Sequence, residues 1–337
     1  MSQKRDSRPE MVVWEITRRC NLSCPHCYTA ATTKDFPEFN TGQCKEIIDA
    51  LIGLGTTDIG WTGGEPLLRN DLEELMVYAR ERGAIKSGIT TNGILLDVKR
   101  AHNLKQAGLN SLQISIDGTT PERNFRIRRA TDEEFHHALE AVRICVSLDM
   151  KLHIAMVLGK ENLDDAWEML KLAHREGVEF IRFCGFVPVG RGRHKQSIER
   201  LRFDSDLSKI REFVDEVVQL ESPKVYFDPA VGPVPPRYQF HVCNAGVQTM
   251  YLNCLGDVYP CTSLLNKRFI VGNVNASSLA DIWNDPKMTE VAQLLREEIH
   301  GQCSSCRHFH NCRGACRGVT YAHTGDMYAS FPLCLKW

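Results

Sequence analysis

The chain has 337 residues with a net charge of −1, and its 43% hydrophobic and 25% charged residues are the balance of a globular protein that can bury a sizeable core. The even charge, with no like-charged block, argues against nucleic acid as a partner, and no run of about 18 apolar residues is present to span a membrane. The opening residues, MSQKRDSRPE, lack the apolar stretch of a secretory signal, so a cytoplasmic location is the simplest expectation.

In chain order, Met11–Thr17 reads as a buried strand and runs directly into a cysteine loop. A helix is expected over Gly42–Leu54, where Ile47, Ile48, Leu51 and Leu54 recur at helical spacing. Strands are expected at Thr57–Trp61, Ser87–Thr91, Ser111–Ile116, Leu152–Leu158 and Glu179–Phe186. Helices are expected at Leu72–Arg82, Lys99–Ala107, Glu133–Leu148 and Leu163–Glu176. Six strand–helix alternations predict an α/β fold with parallel strands, too few for a closed eight-stranded barrel. The expected architecture is therefore a partial (β/α)6 TIM-type barrel over residues 11–194. A connecting region follows at 195–240, with a helix at Leu207–Leu220 and a Pro-rich turn at Pro229–Pro236. A small cysteine-rich domain spans 241–337. The polar and Gly-rich motifs all fall just after strands, the end of such barrels that carries the active site.

Fourteen cysteines without an export signal are better suited to metal or redox work than to disulfides. Cys20, Cys24 and Cys27 have the spacing C-x3-C-x2-C. Three thiolates on a [4Fe–4S] cube leave one iron open to a small ligand such as the amino and carboxylate groups of S-adenosylmethionine. The other reading is a zinc site completed by His26.

The stretch Arg19–Tyr28, RCNLSCPHCY, resembles the signature of the radical S-adenosylmethionine superfamily. The resemblance implies that a [4Fe–4S] cluster on Cys20, Cys24 and Cys27 binds S-adenosylmethionine and cleaves it to a 5′-deoxyadenosyl radical. It also implies cofactor contacts further along the chain. Gly63, Gly64, Glu65 and Pro66 match the turn whose backbone meets the methionine ammonium. Asn92, Ser115 and Asp117 match strand ends beside the nucleoside, with Ser115 a ribose or carboxylate partner. Arg128 matches a residue that pairs with the methionine carboxylate, although Arg129 follows it where the family usually has glycine. A lone Gly-Gly or Asp-Gly is more often just a turn; it is their joint order behind the cysteine triplet that carries weight.

In the tail, Thr249–Leu255 and Asp257–Tyr259 alternate like a hairpin turning near Asn253–Gly256, and Ser278–Trp283 leads into a helix. Seven spaced cysteines, Cys243, Cys261, Cys303, Cys306, Cys312, Cys316 and Cys334, exceed what one four-ligand site can use. Two zinc sites could use them with His308 or His310. The pattern also resembles the SPASM extension, known from maturases of subtilosin, pyrroloquinoline quinone, anaerobic sulfatase and mycofactocin, which binds two auxiliary [4Fe–4S] clusters. That resemblance places Cys303, Cys306, Cys312 and Cys334 on an outer cluster and Cys243, Cys261 and Cys316 on an inner one. The inner cluster keeps an open iron, or Cys254 or another group is its fourth ligand.

Cys44, Cys145 and Cys184 read as small core residues. Pro188–Arg193 reads either as a Gly-rich turn near the cofactor or as an exit into the connector. Tyr321, His323 and Asp326 are candidates for a base, more commonly explained as surface polarity, and no catalytic base is assigned. The resemblance implies oxidative modification of a peptide, with an electron donor such as flavodoxin or ferredoxin. Only about ten residues precede the first strand, so a separate peptide-recognition protein is expected if a peptide is the substrate. Relatives that modify tetrapyrrole side chains in heme or heme d1 synthesis share the look of Cys27–Ala31 and Gly63–Arg69. A small-molecule substrate of that type is the alternative; a non-catalytic iron–sulfur or zinc scaffold is a third reading.

Overall fold

Strand β1 (Met11–Thr17) puts Val12, Trp14 and Ile16 on a fully buried face and Met11, Val13 and Glu15 on the other. That two-residue alternation sets the plan of the computed structural model, which describes residues 7–201, 207–217, 220, 222–228, 230–232, 243–294 and 296–334. Then follow α1 (Thr41–Gly53), β2 (Asp58–Gly63), α2 (Leu72–Gly83), β3 (Lys86–Thr91), α3 (Val98–Gln106) and β4 (Leu109–Ser115). After them come α4 (Pro121–Arg128), α5 (Asp132–Ser147), β5 (Leu152–Leu158), α6 (Ala166–Arg175) and β6 (Phe180–Gly185). Neighbouring strands from β1 to β6 pair in parallel. The helices pack on the outer face, where Trp14 stacks on Trp61 at 5.6 Å and the Trp61 indole N–H donates to Ser87 Oγ at 3.0 Å.

Two helices start on capping boxes legible in the sequence. Asn40 and Gln43 exchange bonds at the head of α1, and Thr131 and Glu134 do so at the head of α5. Helix α4 is absent from the sequence-based plan. It has an N-cap at Thr120 and Pro121 in its first turn, but it buries only Asn124 and Ile127, so its apolar period is faint.

The connector is more structured than its composition suggests. It holds α7 (Lys195–Leu201), α8 (Leu207–Val217) and β7 (Lys224–Phe227), and β7 adds a seventh parallel strand beside β6. Of the expected Pro-rich turn, positions 229 and 233–236 lie outside the described residues. The cysteine-rich part is also joined to the barrel sheet. Strand β8 (Thr249–Leu252) pairs in parallel with β1, from Met11 opposite Thr249 to Trp14 opposite Leu252. Strands β9 (Asp257–Tyr259) and β10 (Gly272–Asn273) extend the same sheet antiparallel, giving ten strands in the order β10-β9-β8-β1-β2-β3-β4-β5-β6-β7. Fully buried Glu15 fastens this join, because its carboxylate accepts from Tyr251 Oη at 2.6 Å and from Arg18 Nε at 2.7 Å. Helices α9 (Leu279–Asn284), α10 (Phe309–Cys312) and α11 (Arg317–Thr324) complete the chain.

The face opposite the helices is unlike the packed interior of a closed barrel, where bulky branched side chains fill the axis. Gly60, Gly88, Thr90, Ser111, Gln113, Ser115 and Ala155 line it, and small residues leave space. Two adjoining cavities, about 360 and 440 Å³, occupy the axis. Among the described residues no helix is long and apolar enough to cross a membrane.

Candidate active site

The cavity of about 360 Å³ sits at the carboxyl ends of the strands. Cys20, Cys24 and Cys27 form one wall, on the loop that leaves β1. The loop is tied down by its own backbone: Cys20 N–H donates to Thr32 O at 2.8 Å and Thr32 N–H to Arg18 O at 2.9 Å. Leu22, Ala31, Ala130 and Ile94 wrap the three cysteines in apolar surface. Burial pushes the Cys20 thiol up to about 12, and the neighbouring Cys24 and Cys27 add to that push. Leu22 N–H opposes it, donating to Cys20 Sγ at 3.3 Å, and Ala31 N–H donates to Cys27 Sγ at 3.4 Å. Three neighbouring thiols wrapped in apolar surface, with N–H groups aimed at sulfur, are a donor set for thiolates held by a cationic metal group.

The turn after β2 lies against this loop. Gly64 N–H donates to Thr17 O at 2.7 Å and Glu65 N–H to Arg19 O at 2.8 Å. A Cβ on Gly64 would lie 2.1 Å from Arg19 O, and one on Gly63 would lie 2.3 Å from Thr17 O. The chain's own backbone therefore demands both glycines. Glu65 and Pro66 stand behind the cavity rather than on its wall. The fully buried Glu65 carboxylate accepts from Thr91 Oγ1 at 2.6 Å, Asn92 N–H at 2.8 Å and Leu67 N–H at 3.1 Å. It braces the end of β3 and so places Asn92 on the wall.

Ser115 lines the cavity; Asp117 does not. The Asp117 carboxylate accepts from Val157 N–H at 2.6 Å and from Arg128 Nη1 at 2.9 Å, and His26 Nε2 lies 3.5 Å away. Asp117 thus aims Arg128, which does line the cavity. Burial opposes the Arg128 charge, but Cys24 and Asp117 beside it hold it protonated. Its buried Nε has no hydrogen-bond partner among the described residues. A buried guanidinium nitrogen left open beside three thiols fits an anionic group on a ligand shared with them.

Sequence reasoning undervalued Arg191, Tyr28 and His26, which also line the cavity. Gly190 adopts φ +57°, and a Cβ there would lie 2.2 Å from Tyr28 O. Arg191 N–H donates to Cys27 O, and its Nε donates to Cys24 O, both at 2.9 Å. The Pro188–Arg193 turn is thus packed on the cysteine loop, and the Gly-Arg pair was its available signal. Cys44 and Cys145 are fully buried as expected. Cys184 is a correction: it is half-buried and lines the cavity, because β6 turns residues 182 and 184 to the axis and Ile181 and Phe183 to the core.

The tail cysteines fall into neighbourhoods. Cys261 is pushed well above its ordinary range, first by burial and then by Cys316 and Cys243 beside it. Burial takes Cys316 to about 11, against the N–H of Val319 and the hydroxyl of Ser263. Cys312 is raised by burial, opposed by the N–H groups of Ala315 and Gly314, with Cys303 and Cys334 nearby. Among the described residues no three His, Cys, Asp or Glu side chains close on a single-ion position. Cys254 belongs to neither set: it is buried with its Sγ 3.5 Å from Glu15 Oε1.

Arg317 stands between the two sets, beside Cys303, Cys316, Cys312 and Cys243. Its Nη1 donates to Ala329 O at 2.8 Å and Met327 O at 3.1 Å, while its buried Nε has no hydrogen-bond partner among the described residues. Thr262 and Ser263, next to Cys261, reach the far wall of the cavity. Of the base candidates, Tyr321 packs edge-on against Phe269 and Asp326 pairs with His300 at 2.9 Å; neither they nor His323 line the cavity.

The sequence pattern of the Radical SAM superfamily matches residues 14–173, and that of the SPASM iron–sulfur cluster-binding domain matches residues 243–308. Fe-coproporphyrin III synthase of Methanosarcina barkeri is 30% identical over 357 residues, covering 98% of this chain and 88% of that protein. Mycofactocin maturase MftC of Mycolicibacterium smegmatis is 29% identical over 338 residues, covering 97% and 83%. The crystal structure of Streptococcus suis SuiB bound to S-adenosylmethionine has the same fold, with a TM-score of 0.76 at 19% identity over 97% of this chain and 77% of that one.

Proposed function

The chain belongs to the radical S-adenosylmethionine superfamily, in the branch that carries a SPASM domain, and on that premise we propose that it is a peptide maturase acting by oxidation. It is an enzyme whose cofactors are a [4Fe–4S] cluster with S-adenosylmethionine and auxiliary iron–sulfur clusters. Bound together, the first cluster and S-adenosylmethionine supply a 5′-deoxyadenosyl radical that takes hydrogen from an unactivated C–H bond.

The residues divide the work. Cys20, Cys24 and Cys27 hold the first cluster, and Leu22, Ala31 and Ala130 keep it dry. Arg128 Nε offers its N–H to the methionine carboxylate, with Asp117 fixing the guanidinium. Glu65 holds Asn92 in place, and Ser115 faces the same space. Cys243, Cys261 and Cys316 form the inner auxiliary set, and Cys303, Cys306, Cys312 and Cys334 the outer one. With Cys254 engaged at Glu15, the inner set has three cysteines.

One observation carries the oxidative reading: a single cavity has the first three cysteines on one wall and Thr262–Ser263, the neighbours of Cys261, on the other. Electrons released by substrate oxidation then have a second metal set beside them, so the outcome is a new bond, a desaturation or a decarboxylation. The reading includes a flavodoxin- or ferredoxin-type donor and a separate peptide-recognition protein. A second reading, modification of a tetrapyrrole side chain, is favoured by the full-length match to an Fe-coproporphyrin III synthase.

Anaerobic reconstitution tests the core. Three clusters require about twelve irons per chain, and reduction with S-adenosylmethionine releases 5′-deoxyadenosine. Bound zinc with no cleavage overturns the reading. Mass spectrometry after turnover with short peptides encoded beside the gene, or with a panel of iron tetrapyrroles that carry acidic side chains, separates the two substrate classes by which one loses mass.

A further inference from the structure

The two cavities on the barrel axis meet at a belt of six residues that line both: Met11, Gly60, Thr90, Gln113, Arg182 and Asp228. Four strands, β1 to β4, supply neutral or small groups here, and one ion pair stands out. Arg182 on β6 lies in register with Ala155 of β5 and Tyr226 of β7, and Asp228 follows the end of β7. Arg182 Nη2 donates to Asp228 Oδ2 at 2.6 Å, and Asp228 Oδ1 accepts from Ala230 N–H at 2.9 Å. The carboxylate is thereby occupied on both oxygens. The guanidinium is occupied at one nitrogen among the described residues, and 44% of the Arg182 side chain is exposed to the open axis.

Charge on the cavity walls points the same way. Among the described residues, Arg128, Arg182 and Arg191 line the cavities against the one carboxylate of Asp228. Arg191 is spent on main-chain carbonyls of the cysteine loop, and Arg128 faces the thiols. Arg182 is the guanidinium left facing the space beyond the cofactor end. A strut between β6 and β7 would be a weak reason for an ion pair there, since screening by water and side-chain entropy offset most of the gain of a pair exposed to this degree.

We propose that Arg182, held by Asp228, anchors a carboxylate of the substrate in the barrel axis, so that the enzyme selects acidic substrates. The proposal rests on the radical-enzyme reading above, under which either a peptide carboxylate or a tetrapyrrole propionate supplies the group. A guanidinium fork matches a carboxylate in geometry, and the partner Asp228 keeps the fork's plane fixed. Asp228 also competes for the same guanidinium in the empty site.

The test uses the reconstituted holoenzyme. In one arm, binding of Fe-coproporphyrin III and of its tetramethyl ester is titrated by porphyrin absorbance. In the other, a tetrapeptide library is offered as free acids and as C-terminal amides, and capture is read by mass spectrometry. In wild type, the acid of one class binds about tenfold to a hundredfold more tightly than its neutral form, the worth of a charge-assisted hydrogen bond. Arg182→Met abolishes that preference and Arg182→Lys keeps part of it. Asp228→Asn strengthens acid binding, whereas a strut expects it to weaken the site like the arginine variants.

The arm that shows the preference names the source. The proposal is overturned if wild type shows no acid preference in either arm, if Arg182→Met retains it, or if Asp228→Asn weakens acid binding. Thermal unfolding of each variant checks the fold. Release of 5′-deoxyadenosine by wild type, measured separately, shows whether a failure lies with this proposal or with the reading beneath it.

Discussion

The two cysteine-rich regions solve the same problem by opposite means. The first packs Cys20, Cys24 and Cys27 into eight residues of one loop, leaving a wall of the thiol site open to a cavity. The second gathers cysteines from positions 243 to 334, carried on short helices and turns. The arginine beside each site shows the difference. Both keep a buried Nε without a hydrogen-bond partner among the described residues, but Arg128 lines a cavity with Asp117 holding its other end, as suits a site that must admit an anionic ligand. Arg317 is tied by both Nη atoms to the carbonyls of Gly314, Met327 and Ala329, as suits a fixed charge that tunes what its neighbours hold. An initiating site needs access; an electron-accepting site needs a constant field.

The sharpest way to break this comparison is to remove one cysteine from each region. Cys24→Ala is expected to abolish 5′-deoxyadenosine release, a loss of several orders of magnitude, and to remove about four of about twelve irons. Cys312→Ala is expected to cost product formation more than it costs S-adenosylmethionine cleavage. Iron assay and chromatography of both products decide, and equal losses of cleavage in the two variants would erase the division of labour.

Gly64→Ala has the next largest effect. Its Cβ would meet Arg19 O at 2.1 Å and Arg18 O at 2.8 Å, so the cysteine loop must move. The expected cost is about 1–3 kcal/mol of stability, read as a lower urea midpoint, together with loss of iron from the first site. An unchanged midpoint and full iron would show that the loop is not held by this turn.

Arg317→Gln is the mildest. Removing a unit positive charge near both tail sets lowers their reduction potentials by on the order of tens of millivolts at an effective dielectric of about 20. A redox titration followed by electron paramagnetic resonance reads the shift, and unmoved potentials would leave Arg317 a packing residue.

Much of the site was legible because its parts are local. The cysteine triplet, the turn at Gly63–Pro66 and the strand ends at Asn92 and Ser115 each lie within a few residues of one strand, and parallel topology brings strand ends together. Less legible was what each side chain does. Glu65 and Asp117 stand in ligand-binding motifs, yet their carboxylates are consumed by Thr91, Asn92, Val157 and Arg128. A motif marks where a residue sits, whereas its hydrogen bonds depend on partners up to 40 positions away. Cys184 was misjudged because a short apolar strand shows its period but not which face has a lumen.

From its sequence alone this chain is committed to alternating strands and helices, to a closely spaced thiol triplet at Cys20, Cys24 and Cys27, and to a second group of cysteines in the tail. These follow from short-range rules: two-residue and 3.6-residue periods, capping, and the spacing of thiols. Tertiary structure alone decided three further things. β8 joins the tail to β1, Cys254 goes to Glu15 and away from the inner cysteine set, and Arg182 faces an open axis with Asp228. Each brings together residues far apart in the chain, or depends on which face of a strand meets empty space, and no local period carries that information.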